Sequence, residues 1–168
     1  MFTLRCTKKM QQLLEVGRSS AHSMGVPTTR LGDWYANVVV HAGQPHVLFT
    51  SERTLLPVVV RAAPLDTLMP RFCEALGELL FSYGVDERTL GEELTAMQQF
   101  LFAGTVSRRV LGTMTDFAWL LENVPTHVSL LEAAQELAQA PCSPIAMESP
   151  NRLTVAVLRA QADLGVLQ

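Results

Sequence analysis

Between Arg30 and Val60 the chain carries its densest run of β-branched and aromatic residues, RLGDWYANVVVHAGQPHVLFTSERTLLPVVV. Val38–Val40 and Val58–Val60 suit a pleated, half-buried surface. Ala42-Gly43-Gln44-Pro45 reads as a four-residue turn between two apolar runs. With His41 facing His46 across it, Val40 meets Val47, Val38 meets Phe49 and Ala36 meets Ser51. The opposite face pairs Val39 with Leu48 and Asn37 with Thr50. Side chains alternate with period two, so one register separates a mostly apolar face from a mixed one. A second turn at Glu52-Arg53 places Leu56 beside Phe49 and Val58 beside Val47. Pro57 has no N–H for a ladder, which puts the third strand at an edge or gives it a bulge.

Ahead of this meander, Phe2-Thr-Leu-Arg-Cys6 alternates as a short strand. Thr7 caps a helix carrying Met10, Leu13 and Leu14, with Gly17 as its stop. Residues Arg18 to Thr29 read as an exposed loop. After Ala62-Ala63-Pro64, a helix capped by Asp66 or Thr67 shows a 3.6-residue stripe through Leu65, Leu68, Met69, Phe72, Leu76, Leu79, Leu80 and Tyr83. Pro70 falls where backbone N–H groups lack partners anyway, and Gly84 ends the helix. Asp86 caps the next, with Leu90, Leu94, Met97 and Leu101 on one face and Gly104 as its end. Ser107 caps a fourth, lined by Val110, Met114, Phe117 and Leu121 and closed at Pro125. Ser129-Leu-Leu-Glu132 is a capping box for a fifth, through about Gln139. Pro141 and Pro144 bracket a loop. Ser149-Pro150 opens the last helix, striped by Leu153, Val157, Ala160 and Leu164.

The order is strand, helix, three strands, five helices. That segregation predicts an α+β fold: a small antiparallel β-meander with an N-terminal strand-helix and a C-terminal group of about five helices. The 168 residues make one domain, with residues 1–61 sheet-rich and 62–168 helical. Some helices are expected to pack on each other as a helical part.

Composition narrows the picture. Hydrophobic residues are 48% and charged residues 17%, enough apolar material for a core and too little charge for disorder. A net charge of −3 gives no global attraction to nucleic acid or anionic membranes, so such binding needs a local basic patch. Cys6, Cys73 and Cys142 lack CxxC spacing and suit a reducing compartment. No apolar run spans a membrane and no secretion signal opens the chain. The expectation is a cytoplasmic protein.

The sharpest chemical signal is a local contradiction that occurs twice. Thr7-Lys8-Lys9 and Ser107-Arg108-Arg109 each follow a hydroxyl cap with two cations, at a helix end that is already positive. Free N–H groups, a hydroxyl and two cations make an anion site, and departures from local rules tend to fall at functional positions. The bland alternative is side chains extending into water. The meander also gathers Arg30, Asp33, Trp34, Asn37, Glu52, Arg53 and Thr54 at one sheet end, with an Asp33–Arg53 ion pair as the structural explanation.

Other chemistry is thinner. His22, His41, His46 and His127 have no metal-ligand spacing, so no metal site is assigned. Asp33, Glu52 and Asp116 could converge on Mg²⁺ in a phosphoryl-transfer site. Cys6 beside two lysines is either an activated thiol or a buried strand residue. No GxSxG, GxGxxG or P-loop motif is present, and no cofactor is assigned.

The segments Leu4-Arg-Cys-Thr-Lys-Lys9, Thr29 to Asn37 (TRLGDWYAN), Leu48 to Pro57 (LFTSERTLLP) and Ser107 to Phe117 (SRRVLGTMTDF), in that order, resemble an uncharacterised bacterial protein family, a domain of unknown function. The resemblance spans roughly the first five-sixths of the chain. It implies Asn at the positions of Ser51 and Thr115, and implies no activity. The expected function is a small binding or regulatory module, leaning away from an enzyme. It would recognise a phosphate-bearing ligand or nucleic acid through Thr7, Lys8, Lys9, Arg30, Asp33, Trp34, Asn37, Glu52, Arg53, Ser107, Arg108, Arg109 and Asp116. The alternatives are a metal-dependent phosphoryl-transfer or hydrolytic enzyme, and a structural subunit whose helical part meets a protein partner or a second copy.

Overall fold

The computed structural model describes residues 1–17 and 25–166, with the side chains of 161–166 left aside. The expected loop at Arg18 to Thr29, with His22, lies partly outside these residues, as does the side chain of Leu164. Five strands form one sheet: β1 (Phe2–Cys6), β2 (Trp34–His41), β3 (Gln44–Ser51), β4 (Pro57–Arg61) and β5 (Phe100–Gly104). Their order is β4-β3-β2-β1-β5. The three-strand meander is antiparallel, whereas β1 runs parallel to both β2 and β5, so the sheet is mixed. Among the described residues six α-helices accompany it: α1 (Lys8–Leu14), α2 (Leu68–Ser82), α3 (Glu87–Ala96), α4 (Arg108–Glu122), α5 (Leu130–Ala138) and α6 (Pro150–Val166). The fold is α+β.

Two registers differ from expectation, each by two residues. The first hairpin closes on His41 opposite Gln44, so Val38 meets Val47 and Ala36 meets Phe49. Its turn is only Ala42 and Gly43, with φ of 50° and 72°, the pair of positive angles that a tight hairpin requires. Pro45 is tolerated inside β3 because its backbone faces β4: its carbonyl accepts from Ala62 N at 3.1 Å. In the second hairpin Phe49 meets Val58, with Leu55 at φ 59° inside a longer turn. A shift of two keeps every side chain on its own face, so the sorting of faces survives. Pro57 lies on β4, an edge strand.

The strand β5 replaces the end of a predicted helix. The third helix stops at Ala96, and Phe100–Gly104 pairs with β1 from Phe2↔Phe100 to Cys6↔Gly104. Phe-Leu-Phe-Ala-Gly is a short unbroken apolar run, the form common in parallel strands; as the edge strand it is half-buried, with only Ala103 fully buried.

Period-two alternation divides the core into two layers. Phe2, Leu4, Cys6, Trp34, Ala36, Phe49 and Val58 face Met10 of α1 and Phe72, Leu76 and Leu79 of α2. Tyr35, Val39, Leu48 and Val59 face Val110, Met114, Phe117 and Leu121 of α4. Helices therefore cover both faces. The fifth helix contributes to both layers, with Ala134 and Ala138 in one and Ala133 and Leu137 in the other. It packs against β4, the usual way to shield an edge strand.

Most helix ends follow their sequence signals. Thr7, Asp86, Ser107 and Ser129 each accept from a first-turn amide, and Ser129 with Glu132 forms the capping box. The first helix ends three residues before Gly17, on Glu15 in the left-handed region. Among the described side chains of α6 the buried positions are Pro150, Thr154 and Leu158, the last two each one residue beyond the expected Leu153 and Val157. Thr154 donates to Thr54 Oγ1 at 2.8 Å, so a polar contact helps set that face.

Candidate functional site

The carboxyl ends of β1 and β5 lie side by side, since Cys6 pairs with Gly104. The helices that follow them leave on opposite faces, α1 toward α2 and α4 across the other layer. Crevices of this kind, outside the carboxyl ends of parallel strands whose connections diverge, are common ligand positions in open sheets. Both helix caps are anchored to β2. Thr7 Oγ1 donates to Asn37 Oδ1 at 2.7 Å and accepts Met10 N at 3.3 Å. Ser107 N donates to Tyr35 Oη at 3.1 Å, and Ser107 Oγ accepts Val110 N at 3.3 Å. Tyr35 and Asn37 are same-face neighbours, about 7 Å apart along the strand. Gln11 of α1 approaches the end of β5, its Nε2 lying 3.7 Å from where a Cβ on Gly104 would stand.

Four cations surround these caps. Lys8, Lys9 and Arg108 are exposed, and none has an acidic partner among the described residues. Neither first turn contains an acidic residue. Arg109 is engaged: its Nη2 donates to Glu52 O at 3.1 Å and its Nη1 to Pro144 O at 3.4 Å, strapping α4 to the end of β3 and to the loop before α6. With seven residues, α1 has little dipole of its own, so Lys8 and Lys9 count as point charges.

The polar group at the other end of the sheet is mostly structural. Asp33 does not pair with Arg53. Its Oδ2 meets Arg5 Nη2 at 3.2 Å, and its Oδ1 accepts Thr3 N at 2.8 Å. Arg53 Nη1 instead donates to Arg30 O at 2.7 Å. Arg30 pairs with Glu92, and the Arg30 and Leu31 amides donate to Glu93 at 2.7 and 3.1 Å. Burial raises the Glu93 carboxyl above its ordinary range, against the pull of those two amides. Trp34 is fully buried with its ring edge-on to Phe72 at 5.0 Å, a core residue with no face for a ligand. Ser51 Oγ donates to Leu31 O and accepts Thr54 N, closing the turn.

The Mg²⁺ arrangement of Asp33, Glu52 and Asp116 is not assembled. Among the described residues no three His, Cys, Asp or Glu side chains stand close enough to hold a metal. Asp33 is committed to Arg5 and Thr3, whereas Asp116 lies in a surface cleft beside the loop at Pro141–Pro144. Cys6 is buried, and burial pushes its thiol up to about 12, the opposite of activation by neighbouring lysines. His41 and His46 are also buried, rings 5.6 Å apart, with Nδ1 bonded to Leu121 O and Gln44 O respectively. They are diagonal rather than opposite partners.

Two residues of this region escaped the sequence reading. Tyr35 is the anchor of the α4 cap; burial raises its phenol, and nearby Glu52 adds to that, while the Ser107 amide and Arg5 oppose it. Arg5 is 5% exposed, and its Nε and Nη1 are buried without a hydrogen-bond partner among the described residues. Period two puts Arg5 with Thr3 on the face opposite Phe2, Leu4 and Cys6, so alternation alone predicts exposure, and its burial comes from the cover on that second face.

A family model described as a domain of unknown function (DUF6933) matches residues 3–153, and the chain belongs to that family. No curated protein and no solved structure matches. Among the described residues no helix is long and apolar enough to cross a membrane.

Proposed function

We propose that the protein is a small binding module that takes a phosphate-bearing ligand at the carboxyl ends of β1 and β5. One observation carries this reading. The helix starts that carry Lys8, Lys9 and Arg108 follow two strands whose carboxyl ends pair, and the three side chains are exposed and without acidic partners among the described residues. Arg108 at the start of α4 stands at an already positive helix end, unfavourable by roughly 0.3–1 kcal/mol, and Lys8 and Lys9 add two adjacent like charges. An incoming anion reverses that sign. The start of α4 adds first-turn amides that a phosphate oxygen can use. Arg109 and the Thr7–Asn37 and Tyr35–Ser107 bonds fix the frame.

Isothermal titration calorimetry with pyrophosphate and with a short single-stranded oligonucleotide tests this. Binding by either should weaken at least tenfold in Lys8→Glu/Lys9→Glu and in Arg108→Glu. Nucleic acid as the ligand further requires a steep loss of affinity with salt. If the charge reversals raise the melting temperature and leave binding unchanged or absent throughout, the module has no anion site here.

A further inference from the structure

The strongest unassigned feature is a cleft of about 500 Å³ between α4 and the loop that precedes α6. That is within the size range of small-molecule sites. Arg108, Gly112 and Asp116 follow one another at four-residue intervals along the cleft side of α4. All three are exposed. Neither Arg108 nor Asp116 has an ion pair among the described residues. Eight residues of helix hold their backbones about 12 Å apart, too far for one phosphate to serve both.

Gly112 between them is a local anomaly. Glycine in a helix interior costs roughly 1 kcal/mol relative to alanine. A Cβ there would meet nothing within 4 Å, and its backbone is not left-handed. Neither packing nor backbone conformation requires it. Its effect is to leave the floor of the cleft low between a cation and a carboxylate. Leu120, Pro141 and Pro144 supply apolar walls.

We infer that this cleft binds a phosphate monoester carrying an amine. The phosphate meets Arg108, an aliphatic or ring spacer crosses Gly112, and the ammonium meets Asp116. This rests on the reading of Arg108 as an anion-receiving residue and adds the other half of the ligand.

The probes are 6-aminohexyl phosphate, hexyl phosphate and inorganic phosphate, titrated into the full chain by calorimetry. The amine-bearing ester should bind roughly threefold to tenfold tighter than hexyl phosphate, the range of a partly exposed ion pair. Asp116→Asn should erase that difference. Gly112→Leu should abolish binding of both esters while inorganic phosphate still binds. Unchanged far-ultraviolet circular dichroism and melting temperature show that this variant is folded, and Gly112→Ala supplies a smaller obstruction. Equal affinity for the two esters, or indifference to Asp116→Asn and Gly112→Leu while phosphate still binds, overturns this inference alone. Absence of binding by phosphate, pyrophosphate and both esters removes the anion site, and this inference with it.

Discussion

Asp33→Asn tests the buried pair that joins β1 to the start of β2. Arg5 and Asp33 side chains are 6% and 7% exposed and stand 3.2 Å apart. Their net worth relative to an apolar pair is small, because desolvation offsets most of the attraction. Removing one partner is different. Asn keeps an oxygen for Thr3 N but leaves the guanidinium without its counter-charge. Two of its nitrogens already lack partners among the described residues, so no other bond there compensates. The expected loss is about 3–5 kcal/mol. For a chain of this size that is a fall of roughly 6–20 °C in melting temperature. Arg5→Met/Asp33→Asn removes the stranded charge and should recover more than half of the loss. Urea denaturation, with the m-value checked for constancy, measures these two variants and the single Arg5→Met. A single Asp33→Asn within about 1 kcal/mol of the parent, or a double variant equal to the sum of its singles, refutes the account of a coupled buried pair.

Other consequences follow from burial. Burial holds the His46 imidazole below its ordinary 6.5, against its bond to Gln44 O, with His41 and Arg61 lowering it further. The unfolded chain therefore takes up the proton first. Stability should be flat above about pH 7 and decline as the pH falls from there toward the lowered folded value, and His46→Gln should flatten that slope in urea melts. Phe72 is fully buried, stacked on Phe49 at 4.0 Å and edge-on to Trp34, so Phe72→Ala should cost about 3–5 kcal/mol in the same assay. Gly112→Ala should raise stability by about 1 kcal/mol, since the added methyl touches nothing; a fall in melting temperature would show that the open floor hides a packing constraint.

The parts of the fold that could be read from the chain were those with local causes. The Thr7, Asp86 and Ser107 caps, the Ser129–Glu132 box and the valine runs each act over a few residues and appear where expected; the cap expected at Asp66 or Thr67 does not form, because these residues lie in a 3-10 turn and Thr67 makes no side-chain cap bond to α2. The strand β5 was hidden because Leu90, Leu94, Met97 and Leu101 keep helical spacing across its start. Only pairing with β1, nearly a hundred residues away, decides the matter. The hairpin register differs by two because the turn is Ala42-Gly43 alone, with Gln44 and Pro45 already in β3, and the tolerance of Pro45 there depends on which neighbour its backbone faces. In the candidate site, the basic pairs were visible as breaches of the helix-end charge rule. Their anchors on Tyr35 and Asn37, the engagement of Arg109 and the burial of Arg5 are products of tertiary packing that spacing alone does not encode.

The central claim is that Lys8 and Lys9 of one helix start and Arg108 of the other serve one anion, with Arg109 holding the frame. A titration of ¹⁵N-labelled protein with pyrophosphate, followed by two-dimensional amide spectra, tests it most directly. The amide signals of Lys8, Lys9, Arg108 and Arg109 should move together and fit one dissociation constant. Movement of only one pair, separate constants for the two, or no movement at millimolar ligand would contradict it.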